Sequence, residues 1–267
     1  MKGEARSKQR SDVVVLCYHA VSATWPADLS VTPDALARQL ELLAKRGYRG
    51  ITFSDAALGE AQERRVVAVT FDDAYASTLT LAKPILESFG IPGTVFVPTD
   101  YVDGGPMSWP GIDQWMGTPH EEELRPMSWE DIRALADAGW EIGSHTRSHP
   151  YLTKVGDEQL ERELVESREA CEEMLDRPCR SLAYPYGDHD ARVVAATAAA
   201  GYAAAATFPS RLTKPVPLMW PRVGVFHDDG RRVFAAKMSP TLRKLRRTPL
   251  WHFTVGALAR LRRVLSR

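Results

Sequence analysis

A chain of 267 residues with 34 basic and 34 acidic side chains is long enough to bury one sizeable core, in one or two domains, and carries no net formal charge. Its three cysteines, Cys17, Cys171 and Cys179, are an odd number without metal-type spacing; this argues against a disulfide scaffold and leaves them as free thiols. The charged stretch Met1–Arg10 precedes only the short apolar run Val13–Cys17, so neither a signal peptide nor a spanning helix is expected, and the cytoplasm is the default location.

The run Val13–Tyr18 reads as a first strand. Thr32-Pro33-Asp34 then supplies a capping hydroxyl, a proline at the first helical position and an acid in the first turn, and Leu36, Leu40 and Leu43 give that helix its inward face before Gly47 stops it. Strands follow at Gly50–Phe53, Val66–Phe71 and Gly93–Pro98. Tyr101–Met127 holds Gly104-Gly105-Pro106, Trp109-Pro110 and Trp115 without periodicity and reads as a long loop of the kind that barrel enzymes set over their substrates. The alternative is a loop whose tryptophans pack on their own barrel. Ser128-Trp129-Glu130-Asp131 resembles a capping box and opens a helix ending near Gly139. A strand at Glu141–Ser144 leads to a long amphipathic helix, Asp157–Leu175, with Leu160, Leu164, Cys171 and Leu175 inward. Strand Ser181–Tyr184, the alanine-rich helix Asp190–Ala200, and strands Tyr202–Phe208 and Arg222–Phe226 complete the pattern. Eight apolar strands alternating with helices predict an α/β fold, a distorted (β/α)7–8 barrel, over residues 13–230. A short N-terminal segment, 1–12, and a basic helical extension, 231–267, flank it.

The chemistry-bearing residues fall at or just beyond strand ends: His19, the adjacent pair Asp72 and Asp73, His145 and His149, and Tyr186. In a parallel barrel those ends share one rim, the rim that hosts active sites. Two imidazoles and a carboxylate form a set that suits a divalent metal with open positions, as in a metal-dependent hydrolase. His149 precedes Pro150, which biases it towards a loop rather than continued helix.

These residues resemble the polysaccharide deacetylases with the NodB-homology domain. Thr70-Phe71-Asp72-Asp73 resembles the first motif of that family, with Ala74 where a glycine is usual; His145-Thr146-Arg147-Ser148-His149 matches the second; Tyr184-Pro185-Tyr186-Gly187 matches the end of the third. The resemblance spans about Val13 to Phe226. It implies that Asp73, His145 and His149 hold the metal, zinc first, with cobalt, nickel or iron also accepted, and that Asp72 is the general base. It further implies that the backbone N–H of Tyr186 stabilises the oxyanion. For the general acid, the opening strand ending in His19 looks like the circularly permuted branch, similar to the poly-N-acetylglucosamine deacetylases; His227, after the last strand, is the alternative. The arginine that usually orients the base is replaced by Ala183, and Arg222 is expected to pair with Asp72 instead. The expected activity is removal of N-acetyl groups from an N-acetylhexosamine-containing glycan or glycoconjugate. An O-acetyl carbohydrate esterase and an inactive carbohydrate-binding barrel are the alternatives.

From Gly230 to Arg267 the chain has eleven Lys/Arg and no Asp/Glu. Arginines interleaved with Leu, Trp and Val suit an amphipathic helix on an anionic membrane surface, giving peripheral membrane contact. A helix docked on the acidic barrel or a solvated tail is the competing reading; nucleic acid is not expected, because aromatic readers are few.

Overall fold

A computed structural model describes residues 12–59, 65–208 and 213–248. The first half comprises β1 (Asp12–Tyr18), β2 (Ala20–Val21), β3 (Ser30–Val31), α1 (Pro33–Lys45), β4 (Arg49–Ile51), α2 (Phe53–Leu58), β5 (Arg65–Phe71), α3 (Lys83–Ser88) and β6 (Gly93–Val97). The second comprises α4 (Trp129–Asp137), β7 (Glu141–Ser144), α5 (Asp157–Leu175), β8 (Ser181–Ala183), α6 (Ala191–Ala199), β9 (Ala204–Thr207), β10 (Trp220–Pro221), β11 (Val223–Gly224), α7 (Arg231–Lys237) and α8 (Pro240–Leu245).

The uninterrupted valines of β1 and β5 lie side by side, Val13 opposite Val66 through Tyr18 opposite Phe71, in a sheet whose pairs are all parallel. Its order is β10-β9-β8-β7-β6-β5-β1-β11, with β4 on the first half of β5 and β6 on the second. β10 and β11 are two pieces of one extended segment. The first pairs with β9 and the second with β1, so this segment nearly closes the sheet into an eight-stave barrel. The strand expected at Arg222–Phe226 is therefore a broken one, Trp220–Gly224, with Arg222 at the break.

Capping chemistry sets the helix starts. Thr32 Oγ1 accepts from Ala35 N–H (3.2 Å), Asp190 Oδ1 from Val193 N–H (2.9 Å), and Ser128 and Asp131 cap each other reciprocally (3.1 and 3.0 Å). The strand expected to reach Phe53 ends at Ile51, because Thr52 caps the short helix α2. α2 plugs the N-terminal mouth of the barrel. Phe53 meets Phe96 edge-on (5.5 Å between centroids) above a floor of small residues, Ala68, Ala183, Ala204 and Ala206. The interior leaves no room for more: a Cβ on Gly143 would come within 2.7 Å of the Phe96 ring. The apolar bottom leaves polar chemistry to the opposite, C-terminal rim. A second core packs the helices onto the outside of the barrel and takes in Phe234 of α7 and Met238 just beyond it.

The segment Tyr101–Met127 is irregular, with short 3₁₀ turns at Asp113–Trp115 and Glu121–Leu124, and it folds over the C-terminal rim. Its tryptophans divide the two readings between them. Trp115 packs against Trp25 (5.8 Å), whereas Trp109 lines the cleft.

Candidate metal centre and hydrolytic cleft

β5 delivers Thr70, Asp72 and Asp73 to the rim, and the backbone turns sharply as it leaves the sheet: Asp73 has φ 68° and Ala74 φ 54°. That turn separates two carboxylates adjacent in sequence. It also explains why glycine suits position 74, since a left-handed conformation costs an L-residue about 1–2 kcal/mol.

Asp72 turns towards the closing segment. Its N–H is anchored on the Tyr18 carbonyl (3.0 Å), and its oxygens receive Arg222 Nη1 (2.6 Å) and Nη2 (2.7 Å). Arg222 is 1 % exposed, also donates to Thr70 Oγ1 (3.1 Å), and lies over the Phe96 ring (5.5 Å). Cys17 Sγ–H donates to Asp72 Oδ2 (3.4 Å), and His19 Nε2 is 4.0 Å from the same oxygen. Burial pushes the Asp72 carboxyl up, but the Arg222 guanidinium, with His145 and His19, outweighs it and holds the group down at about 2. Arg222 is held protonated in turn, Asp72 overcoming its burial. Burial lowers His19 from its ordinary value, opposed by Asp73 and Asp72.

Asp73 turns the other way, towards the loop after β7. Its Oδ1 lies 3.3 Å from His145 Nε2 and 3.4 Å from His149 Nε2. His145 Nδ1 donates to the Ala183 carbonyl (2.8 Å), which leaves the Nε2 lone pair of a neutral ring aimed at Asp73. Burial lowers the pKa of His149, favouring its neutral form. Its ring is positioned by stacking: Trp109 lies on it (4.2 Å, 24°) and Tyr186 meets it edge-on (4.7 Å).

Lone pairs converging on a buried carboxylate oxygen that has no hydrogen-bond partner need a cation. The three donor atoms lie within 4.8 Å of one another, so Asp73, His145 and His149 fit a divalent ion. Two forces act on His145: burial, which would lower it, and the charges of Asp72 and Asp73, which raise it above its ordinary value. The same imidazoles hold the Asp73 carboxyl far below its usual range despite burial.

The loop carrying the two histidines is strained and tied down. Thr146 (φ 65°) and His149 (φ 60°) are left-handed. Ser144 Oγ accepts from Thr146 N–H (3.0 Å), and Thr146 Oγ1 accepts from His149 N–H (3.2 Å). Glu163 of α5, 4 % exposed, accepts from Arg147 N–H (2.9 Å), Ser148 N–H (2.8 Å) and the Ser148 hydroxyl. Sequence reasoning passed over Glu163. Its signal was an acid on the apolar face of α5, three residues after Leu160.

Tyr186 sits in a tight turn (φ 58°, ψ 5°) whose Gly187 N–H bonds to the Tyr184 carbonyl (2.8 Å), and its ring stacks on Tyr151 (4.0 Å, 9°). His19, Asp72, Asp73, His145, His149, Tyr186 and Arg222 all line one cleft of about 410 Å³, walled by Trp109, Phe208 and Phe226. His227 is exposed and lies outside that lining; it takes part through its N–H alone, bonded to the Asp28 carbonyl (2.9 Å).

A family model described as polysaccharide deacetylase matches residues 59–205. Among curated proteins the chain is 23 % identical over 201 residues to the putative polysaccharide deacetylase YxkH of Bacillus subtilis, covering 74 % of this chain and 64 % of that protein. It is 25 % identical over 138 residues to the poly-beta-1,6-N-acetyl-D-glucosamine N-deacetylase of Escherichia coli, covering 46 % of this chain and 18 % of that much longer protein. Among solved structures, IcaB from Ammonifex degensii superposes with a TM-score of 0.70 at 26 % identity, over 86 % of this chain and 98 % of the other.

Proposed function

We propose, from the premise that this chain belongs to the polysaccharide deacetylase family, that it hydrolyses the N-acetyl groups of an N-acetylhexosamine-containing glycan or glycoconjugate. The observation that carries this reading is the division of labour between neighbours: Asp73 faces two imidazole nitrogens, while Asp72 is turned away and paired with Arg222. The first set would hold a divalent cation, zinc in our reading, which when bound polarises an acetyl carbonyl and acidifies water. Asp72 is left unligated as the base. Its pairing with Arg222 keeps it ionised and fixes the direction from which it takes a proton off the attacking water. His19, beside Asp72, gives a proton to the departing nitrogen. The N–H of Tyr186 is assigned to the carbonyl oxygen as it gains charge. Trp109, Phe208 and Phe226 offer the apolar walls against which a sugar ring packs and by which bulk water is kept from the acetamide.

The nearest competitor is an O-acetyl esterase, because the same groups would cleave an ester. Acetate release from an N-acetylglucosamine oligomer and from acetylated xylan separates them: our reading expects turnover on the first, and activity confined to the second would overturn it.

A further inference from the structure

The basic C-terminal segment begins beside the cleft wall, with Lys237 of α7 over the Phe226 ring (5.0 Å) and donating to the Gly224 carbonyl (2.9 Å), and its second helix is fastened at the far end of the barrel. α7 buries Phe234 in the outer core, and Met238 follows it there. α8 is latched by Arg243, 5 % exposed, whose Nη2 donates to both Asp12 oxygens (2.8 and 2.9 Å) and to Tyr48 Oη (3.1 Å). Asp12 opens β1, Arg49 opens β4 and Arg65 opens β5, so the latch marks the N-terminal mouth of the barrel.

Cations gather along α7 and α8 and at that mouth. Arg46 Nη1 donates to the Ala235 carbonyl of α7 (3.2 Å), and Arg65 Nη1 donates to the Arg46 carbonyl (2.6 Å). Arg231, Arg232, Lys244 and Arg247 are exposed. Two of the carboxylates nearby are already engaged: Asp12 by Arg243, and Glu41, which faces Arg231, by Lys45 at 2.6 Å. Among the cations two apolar side chains stand in solvent, Val233 (47 % exposed) and Leu245 (40 %). Beyond the described residues the sequence adds Arg260, Arg262, Arg263 and Arg267 and no acid.

We propose that this face binds an anionic phospholipid surface, α7 and α8 lying against the head groups along the flank of the barrel. Uncompensated cations draw the protein to negative lipid, and exposed valine and leucine add shallow apolar contact. The Arg243–Asp12–Tyr48 latch and the buried Phe234 fix both helices to the barrel, so binding also sets the orientation of the cleft.

The test is co-sedimentation of the full chain with vesicles of mixed phosphatidylglycerol and phosphatidylcholine and with phosphatidylcholine alone. We expect partition onto the mixed vesicles at low salt, release at high salt and no partition onto pure phosphatidylcholine. The triple substitution R232E/K244E/R247E is expected to lower the partition coefficient more than about tenfold. Acetate release from a soluble acetylated oligomer should be unchanged in it, which also certifies its folding. Equal partition onto both vesicle types, parent-like partition of the triple variant, or preferential retention of duplex DNA would overturn the proposal. Because the soluble assay reports separately on hydrolysis, failure here leaves the deacetylase reading standing, and the converse holds.

Discussion

At the scale of single residues, Arg222 and Asp72 meet from positions 150 apart in sequence, both almost fully buried, in two parallel hydrogen bonds. Removing one partner of a buried pair costs about 3–5 kcal/mol because a charge is left stranded. Arg222→Met is therefore expected to lose stability on that order in chemical denaturation, and to lose acetate release with it; parent-like stability would mean that the pair is not the anchor we take it for. The depressed Asp72 carboxyl also makes stability depend on pH. Its contribution is complete above the ordinary value of 3.8 and disappears as pH falls through about 2. Asp72 further helps to hold a proton on His19 against burial, so Asp72→Asn should move the His19 imidazole titration, followed by NMR, to lower pH; a shift to higher pH would refute that coupling. Arg222 could be picked out in sequence because position 183, where the orienting arginine was expected, is alanine while an arginine opens a later strand. Cys17 could not: a thiol inside an apolar strand looks like core until its Sγ–H is seen on Asp72.

At the scale of elements, the loop carrying His145 and His149 is held by one helix. The carboxylate of Glu163 gathers two backbone N–H groups and a hydroxyl from the residues between His145 and His149, so α5 sets the separation of two ligands it does not itself carry. Supporting contacts of this kind typically change metal affinity by about 10–100-fold. Glu163→Leu is expected to weaken cobalt binding in calorimetry by that range, with Glu163→Gln, which keeps an acceptor, falling between; unchanged affinity in the leucine variant would rule the clamp out. Trp109→Ala removes the ring stacked on His149 and should weaken the same binding while leaving the fold intact by circular dichroism. Long elements were legible because their signals are redundant: α5 has a nineteen-residue amphipathic pattern, and β1 and β5 are continuous apolar runs. Short ones were not. α2 has six residues and no room for a period, and the break between β10 and β11 arises from closure of the sheet, which local sequence does not encode.

At the scale of the whole molecule, the barrel has two unlike ends. One is plugged by Phe53 against Phe96; the other gathers residues from β1, β5, β7, β8 and the closing segment into one cleft. The alternation of strands and helices predicted this architecture, and the parallel order of the sheet explains why side chains from Cys17 to Arg222 converge. The seating of α7 and α8 on the barrel needed three dimensions, because Arg243 reads as one more cation in a basic run until it is seen on Asp12. The proposed hydrolysis requires a single cation shared by Asp73, His145 and His149, with Asp72 held apart from it. Titration of the metal-free chain with Co2+, followed by calorimetry and visible absorption, tests this directly. We predict one ion per chain, binding abolished in Asp73→Ala and in His145→Ala, and binding retained in Asp72→Asn. Undiminished binding in the Asp73 or His145 variant, or its loss in Asp72→Asn alone, would contradict the assignment.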